Sequence, residues 1–485
     1  MTFVSPPPHR GYMWRTQSPL LAALLLVGCQ SYEPAPLDIG AYRESLDARL
    51  IDTEPISAFA RRLQAAGEDV PARFDPADGI SHAEGEVLAL FYNPDLRIAR
   101  LEAGVVLATW DNAGLWEDPV FGFDGAEIIS PSSPFEYGFM GSLTIPISGR
   151  LEVEKERAGA AYEAQLRTLV DAEWRTRAEL RRKWAAWAAA VAQAELLADM
   201  ITQLEEINDI ADHLEAAGEL NRVERRLLHI ELADRMVQTT EKELLVIEAE
   251  AALIKVLGLP PDATDLLIPA FPETSIPEFD DVTARLIDAN TELAVHFAEY
   301  RIAEETLRLE IRKQFPDIVI GSGYGTEFND HRVMFGVSVP IPILNANRGG
   351  IAEAQAQREV ARAAAETTFA RLFQGLAAAN AVLQVKRAQR DRYEQQIVPL
   401  LAEQTRDIEQ IAALGELDMF VLLETVTRTL DAKQSLIQLQ VAELDAAITL
   451  RRILGPDARK DPSPVSEQTE PDTKNTDAVV TGETQ

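Results

Sequence analysis

The most reactive side chain in this 485-residue sequence is its one cysteine, Cys29. A lone thiol can be alkylated or acylated, but it closes no intrachain disulfide and builds no Cys-rich zinc or iron–sulfur site. The six histidines (9, 82, 213, 229, 296 and 331) fall nowhere in an H-x-x-x-H or H-E-x-x-H spacing. No nucleophile stands beside a base and no glycine-rich phosphate loop is present, so neither an enzyme nor a cofactor is expected. Carboxylates are plentiful: 78 Asp and Glu oppose 46 Lys and Arg, a formal charge of −32. That balance argues against nucleic acid as a partner, because phosphate recognition needs clustered positive charge. No apolar run reaches the ~18 residues of a spanning helix. With 46% hydrophobic and 26% charged residues, most of the chain should fold.

Cys29 closes what reads as an export signal. Arg10 and Arg15 precede the apolar run Leu20 to Val27, which is too short to span a bilayer. The run ends in Leu26-Val27-Gly28-Cys29. That ending resembles the bacterial lipobox, which implies a lipid-anchored mature chain starting at Cys29. Gln30 rather than aspartate follows it, which implies release to the outer membrane. Acyl anchors add roughly 0.8 kcal/mol per buried CH₂, so several chains tether firmly. The mature chain would carry 44 basic against 78 acidic residues, a charge of −34.

The elements downstream come in two copies. Asn93-Pro94-Asp95-Leu96 recurs as Asn290-Thr291-Glu292-Leu293, an offset of 197. Pro119 pairs with Pro316, and Ile145-Pro146-Ile147 with Ile341-Pro342-Ile343. Ala217-Gly218-Glu219-Leu220 pairs with Leu414-Gly415-Glu416-Leu417, and Leu257-Gly258 with Leu454-Gly455. Matches in one order at one spacing predict a tandem duplication. Each copy predicts a helix (83–113, then 281–313), two strands, a very long helix (150–217, then 349–414) and a second helix ending at Leu-Gly. At 1.5 Å per residue each long helix is ~100 Å. Pro399 predicts a kink in the second. Gly218 and Gly415 predict the turns where the chain reverses.

Met419, Leu423, Val426, Leu430, Ile437 and Leu444 keep a coiled-coil rhythm. Trp174, Trp184 and Trp187, at near-helical spacing, read as packing residues rather than a ligand site. From Tyr137 to Ile147 and from Val333 to Ile343 the odd positions are mostly large and apolar, the even ones mostly small or polar. Val120 to Ile128 and Ile318 to Thr326 alternate less cleanly. Such strands suit an outer-membrane barrel. Four strands cannot close one, and open edges are costly in lipid, so copies of the chain must share a barrel of ~8 or ~12 strands. Pro146, Pro340 and Pro342 cannot donate to a ladder and predict where strand gives way to helix.

The order of features, with N-P-D-L-R at Asn93 to Arg97, Y-E-x-x-I-x-P at Tyr393 to Pro399, the G-E-L turns and G-V-S-V-P-I-P-I-L-N-A-N-R-G-G from Gly336 to Gly350, resembles the TolC-type outer-membrane efflux protein family. The likeness runs from about Gly79 to Gly455, and the Gly336 segment is most like members serving heavy-metal cation pumps. The resemblance implies a mainly α chain with a small β part. It implies a homotrimer with a 12-strand β-barrel joined to a 12-helix α-barrel, docked to a periplasmic adaptor and an inner-membrane pump. Members often close the periplasmic end with two acidic residues after the second turn. Here one position is Val421 and the other Glu424, so Asp418 and Glu424 are the candidate constriction.

The expected divisions are a signal peptide (1–28), an anchored segment (29–80), repeat 1 (81–258), a linker (259–280), repeat 2 (281–455) and a disordered tail (456–485). The expected function is a passive exit duct in the outer membrane. Alternatives are a type I protein-secretion duct and a lipid-anchored periplasmic coiled-coil scaffold.

Overall fold

The computed structural model describes residues 32–456 apart from 50–52, 68–69, 72–77, 128, 131–134, 274–275, 277–280, 329 and 414–417. The signal, Cys29, the Gly415 turn and nearly all of the expected tail lie outside the described residues. The chain divides into two units, Met1–Ala48 and Arg49–Gln485. The first carries one described helix, α1 (Ile39–Asp47), whose Asp38 cap accepts from the Ala41 N–H at 3.0 Å.

The second unit begins with α2 (Glu54–Ala65), α3 (His82–Tyr92) and α4 (Pro94–Asp111). Strands β1 (Val120–Ala126) and β2 (Glu136–Ile145) lead into α5 (Arg150–Ala217), and α6 (Arg222–Leu257) returns. The order then repeats: α7 (Val282–Ala289), α8 (Thr291–Arg312), β3 (Ile318–Glu327), β4 (Asp330–Ser338), α9 (Arg348–Arg392), α10 (Val398–Ala413) and α11 (Met419–Leu454). The 68 residues of α5 match the expected helix end to end.

The single helices expected at 83–113 and 281–313 are each two helices, broken at Asn93 and Asn290. Both breaks are built alike. Asn93 Oδ1 accepts from the N–H groups of Asp95 and Leu96 at 3.0 Å, capping α4, while its Nδ2 donates to the Val256 carbonyl at 2.9 Å. Asn290 caps α8 through the Leu293 N–H at 2.8 Å, and its Nδ2 donates to the Ile453 carbonyl at 2.7 Å. A cap that also satisfies a distant carbonyl makes the break cheaper than an unbroken helix. Pro94 cannot serve the Leu90 carbonyl, which accepts instead from Arg100 at 2.7 Å.

Proline also shapes the second long helix. The ring of Pro399 would collide with the carbonyl four residues back and leaves it without a donor. A π-helical turn over Tyr393–Ile397 widens the ladder there, and helix resumes as α10. The strands likewise stop earlier than the alternation predicts. β2 ends at Ile145 before Pro146, and β4 ends at Ser338 rather than at 343, because Pro340 and Pro342 carry no N–H for a ladder.

Two of the four apolar clusters among the described residues tie α5 to its neighbours. One gathers Ile56, Phe59 and Leu63 of α2, Leu88 of α3, Trp184 and Trp187 of α5 and Leu253 and Leu257 of α6. The other joins Leu197, Leu204 and Ala211 of α5 to Leu228 of α6 and to Met419 and Leu430 of α11. The tryptophans at 184 and 187 are packing residues, fully buried, as their spacing predicts.

Candidate functional site

β1, β2, β3 and β4 form one antiparallel sheet in chain order. Its register sorts the side chains into two faces, because directly paired residues project to the same side. One face carries the rows Phe121–Gly141–Ser322–Phe335, Phe123–Phe139–Tyr324–Val333 and Leu143–Ile320–Val337. Phe121 is 73% exposed and Phe335 83%. The opposite face carries Val120–Ser142–Gly321–Gly336, Gly122–Met140–Gly323–Met334 and Asp124–Gly138–Gly325–Arg332. Apolar residues predominate on one side; glycine, serine, methionine and charge predominate on the other. The odd–even alternation of β2 and β4 predicts this division, and the pairing extends it to β1 and β3.

The sheet is tied to the helices at its base. Arg150, in the first turn of α5, donates to Asp317 and to Glu117, both at 2.8 Å. Asn347, in a left-handed conformation before α9, donates to the Glu310 carbonyl at 2.8 Å. These bonds fix the first strand-to-helix junction to the segments entering β1 and β3, and the second to the end of α8.

At the far end of α5, Gly218 takes φ +82°, and the amides of Gly218 and Glu219 return to the carbonyls of Glu215 and Leu214. Asn221 and Glu224 then form a capping box that starts α6. Across this hairpin Arg225 pairs with Asp212 and, at 2.9 Å, with Glu215, while His229 lies 3.3 Å from Asp212. The hydrogen bond from Arg225 holds the Asp212 carboxyl below its ordinary range. The matching turn at Gly415 lies outside the described residues, but its exit is visible. Asp418 caps α11, its Oδ1 accepting from Phe420 N–H at 2.9 Å. Glu424 is exposed and pairs with Arg428 one turn on.

Sequence reasoning missed a buried charge cluster where α3 meets α5. Glu86, with a side chain 10% exposed, pairs with Arg181 at 2.5 Å and with Arg177 at 3.9 Å. His82 Nε2 is 3.5 Å from the same carboxylate, and its ring meets Trp184 edge-on at 5.6 Å. Burial alone would raise Glu86, but the guanidiniums of Arg181 and Arg177 outweigh it and hold the carboxyl low. Burial pushes His82 down to about 4, against the pull of Glu86. The i, i+4 spacing of His82 and Glu86 was legible; their burial was not.

This cluster makes stability depend on pH. His82 is neutral in the fold at pH values where an unfolded chain, with its imidazole near 6.5, takes up a proton. Its contribution is complete above pH 6.5 and drains away as pH falls toward about 4, by up to about 3 kcal/mol. Glu86 adds a second loss below its ordinary value of 4.5. Thermal melts of the full chain should therefore fall between pH 7 and pH 5. His82→Gln should flatten that part of the profile; an unchanged profile would show that His82 is not its source.

Among the described residues no helix is long and apolar enough to cross a membrane, and no group of three His, Cys, Asp or Glu could hold a metal ion. A two-faced four-stranded sheet carried on helices of this length is the fold of solved outer-membrane channels. The structure matches that of a membrane protein from Pseudomonas aeruginosa with a TM-score of 0.67 at 16% identity, over 82% of this chain and 98% of that one. It matches CusC with a TM-score of 0.64 at 16% identity, over 80% and 95%. No family model matches the chain. In sequence it is 26% identical over 252 residues to the cobalt-zinc-cadmium resistance protein CzcC of Cupriavidus metallidurans. That match takes in 50% of this chain and spans 58% of the relative's length.

Proposed function

We propose that the chain is the outer-membrane exit duct of a tripartite efflux system, passively conducting small molecules or metal cations delivered by a periplasmic adaptor and an inner-membrane pump. The observation that carries this is the sheet, largely apolar on one face and mostly small or polar on the other, with β1 and β4 each lacking a strand neighbour on their outer side among the described residues. In hydrocarbon every unpaired N–H and C=O costs several kcal/mol, so such edges must pair with strands of other copies. Two copies give ~8 strands, a barrel just wide enough for side chains to fill; three give ~12 and leave an open lumen. We therefore favour the homotrimer, with a 12-strand β-barrel above a 12-helix α-barrel.

An open seam on α6 supports self-association. Val223, Leu227, Ile230, Val237 and Leu244 repeat at coiled-coil spacing, and every one is at least 43% exposed. The like-built breaks at Asn93 and Asn290 support a tandem duplication (81–258 and 281–455) joined by the 259–280 linker. The likeness to CzcC, named for cobalt, zinc and cadmium resistance, favours metal cations over the protein cargo of a type I secretion duct. The apolar face of the sheet disfavours a scaffold that never enters lipid. A lipid on Cys29 would anchor the mature chain in the outer membrane. The intact mass of the purified N-terminus should show a diacylated or triacylated cysteine, and an unmodified or differently cleaved residue 29 would remove the anchor.

The turns at Gly218 and Gly415 form the periplasmic end in this reading, because the strands hold the opposite end of the same helices in the membrane. Three copies of Asp418 and Glu424 then ring the opening and favour cations. Reconstituted trimers should form cation-selective channels in planar bilayers. Asp418→Asn retains an N-capping side chain while deleting the charge, and Glu424→Gln breaks only an exposed ion pair, so the double variant should stay trimeric. Its selectivity for potassium over chloride should drop severalfold. Unchanged selectivity in an intact trimer would move the constriction elsewhere, and a trimer that conducts nothing would overturn the duct.

A further inference from the structure

Seven methionines occur in the chain, five of them beyond Cys29. Met236 stands alone and exposed on α6, and Met200 and Met419 are buried in the helical core. Met140 and Met334 stand instead on the glycine-rich face of the sheet, in one row with Gly323 between them. They lie 194 residues apart in sequence, so no local pattern announces the pairing.

The surroundings of this pair are unusual for methionine. A Cβ added to Gly323 would meet Met334 Cε at 3.5 Å and Met140 Cα at 3.7 Å, and one added to Gly325 would meet Met334 Cε at 3.7 Å. Met334 therefore lies across the bare backbone of β3, toward the strand that carries Met140. Methionine usually fills gaps in a core. Here both side chains remain nearly half exposed, 48% and 44%, on a face made mainly of Gly, Ser, Thr and charged residues, with Val120 and Val319 nearer its base. Leucine would fill that space as well, so the sulfur is what distinguishes the choice. One row nearer the strand tips the same face carries Asp124 at one end and Arg332 at the other, so that row adds no net charge and the thioethers are the only soft donors there.

We infer that Met140 and Met334 form a thioether site on the inner wall of the duct for soft monovalent cations, Cu(I) or Ag(I). The inference rests on the reading of this face as the lumen and deepens it by naming the class of cation the wall recognises. Neutral thioethers select soft cations, whereas carboxylates select hard or divalent ones. They also release no proton on binding, so occupancy is independent of pH where a carboxylate site would weaken in acid. In a trimer three such pairs line one level of the barrel, a set of weak, exchangeable contacts along the exit path rather than a closed trap.

The test is silver(I) titration of the full chain, labelled with ¹³C at the methionine methyl and held in detergent. The methyl resonances of Met140 and Met334 should shift while those of buried Met200 and Met419 stay, and zinc(II) should move none of them. The volume-conserving double variant M140L/M334L should keep the fold and trimer. Silver bound at equilibrium, read by dialysis against a fixed free silver concentration, should fall in it by about one equivalent per chain. Silent resonances at 140 and 334, or zinc acting as silver does, would overturn the site. Potassium conductance of the same preparation separates this from the duct. Methyl shifts in a preparation that does not conduct uphold the site and remove the duct reading. Normal conductance without shifts removes the site alone.

Discussion

Gly455→Ala should cost about 3 kcal/mol or more, a large share of the 5–15 kcal/mol that holds an ordinary domain together. Gly455 ends α11 at φ +74° and ψ 179°, a region of backbone space essentially confined to glycine. A methyl group there would also overlap the Ala289 carbonyl, on the peptide that precedes the Asn290 cap. Strain at the glycine and displacement of the cap therefore add. Gly258, in the left-handed region at φ +67° and ψ 32°, presses on the Tyr92 carbonyl in the same manner in the first half of the chain. Gly218 is the control: its φ is +82°, but nothing lies within 4 Å of an added Cβ. Gly218→Ala should cost only the left-handed strain, about 1 kcal/mol. Urea unfolding of the two variants should separate them clearly. Equal midpoints would mean that the close approach of α11 to the Asn290 break carries no energy.

Phe335→Arg should remove about 2–4 kcal/mol from the folded protein in a bilayer, because arginine in the middle of a lipid-facing strand is costly. Alternation by itself singles out Val337 as strongly as Phe335. The register shows Val337 one residue from the end of β4, where a long charged side chain reaches the interface and escapes most of the cost. Phe335 lies deeper in the strand, on the apolar face in one row with Phe121. Ser142, paired with Val120 and Gly321, sits at nearly the same depth on the opposite face. Ser142→Arg should be tolerated to within about 1 kcal/mol if that face meets water. Unfolding in lipid vesicles would measure both. A similar cost at the two sites, or none at Phe335, would place the sheet outside the membrane and return the chain to the scaffold reading.

What the sequence determined by itself is what depends on neighbours a few residues away. Helix period, Gly218 at the end of α5, proline at strand ends and the alternation in β2 and β4 are short-range steric facts, and each is legible in a single window. The break at Asn93 escaped because the caps of α4 are local but the bond that completes them reaches Val256, 163 residues on. Glu86 escaped because its burial depends on Arg177 and Arg181 arriving from another helix; a carboxylate in a helical pattern otherwise reads as solvated. Met140 and Met334 escaped for the same reason, since the row that joins them passes through Gly323 on a strand from the other half of the chain. Local sterics choose the elements. Which elements pair, and in which register, is decided by the burial and hydrogen bonding of residues far apart in sequence, so the chemistry of the glycine-rich face appears only once the sheet is assembled.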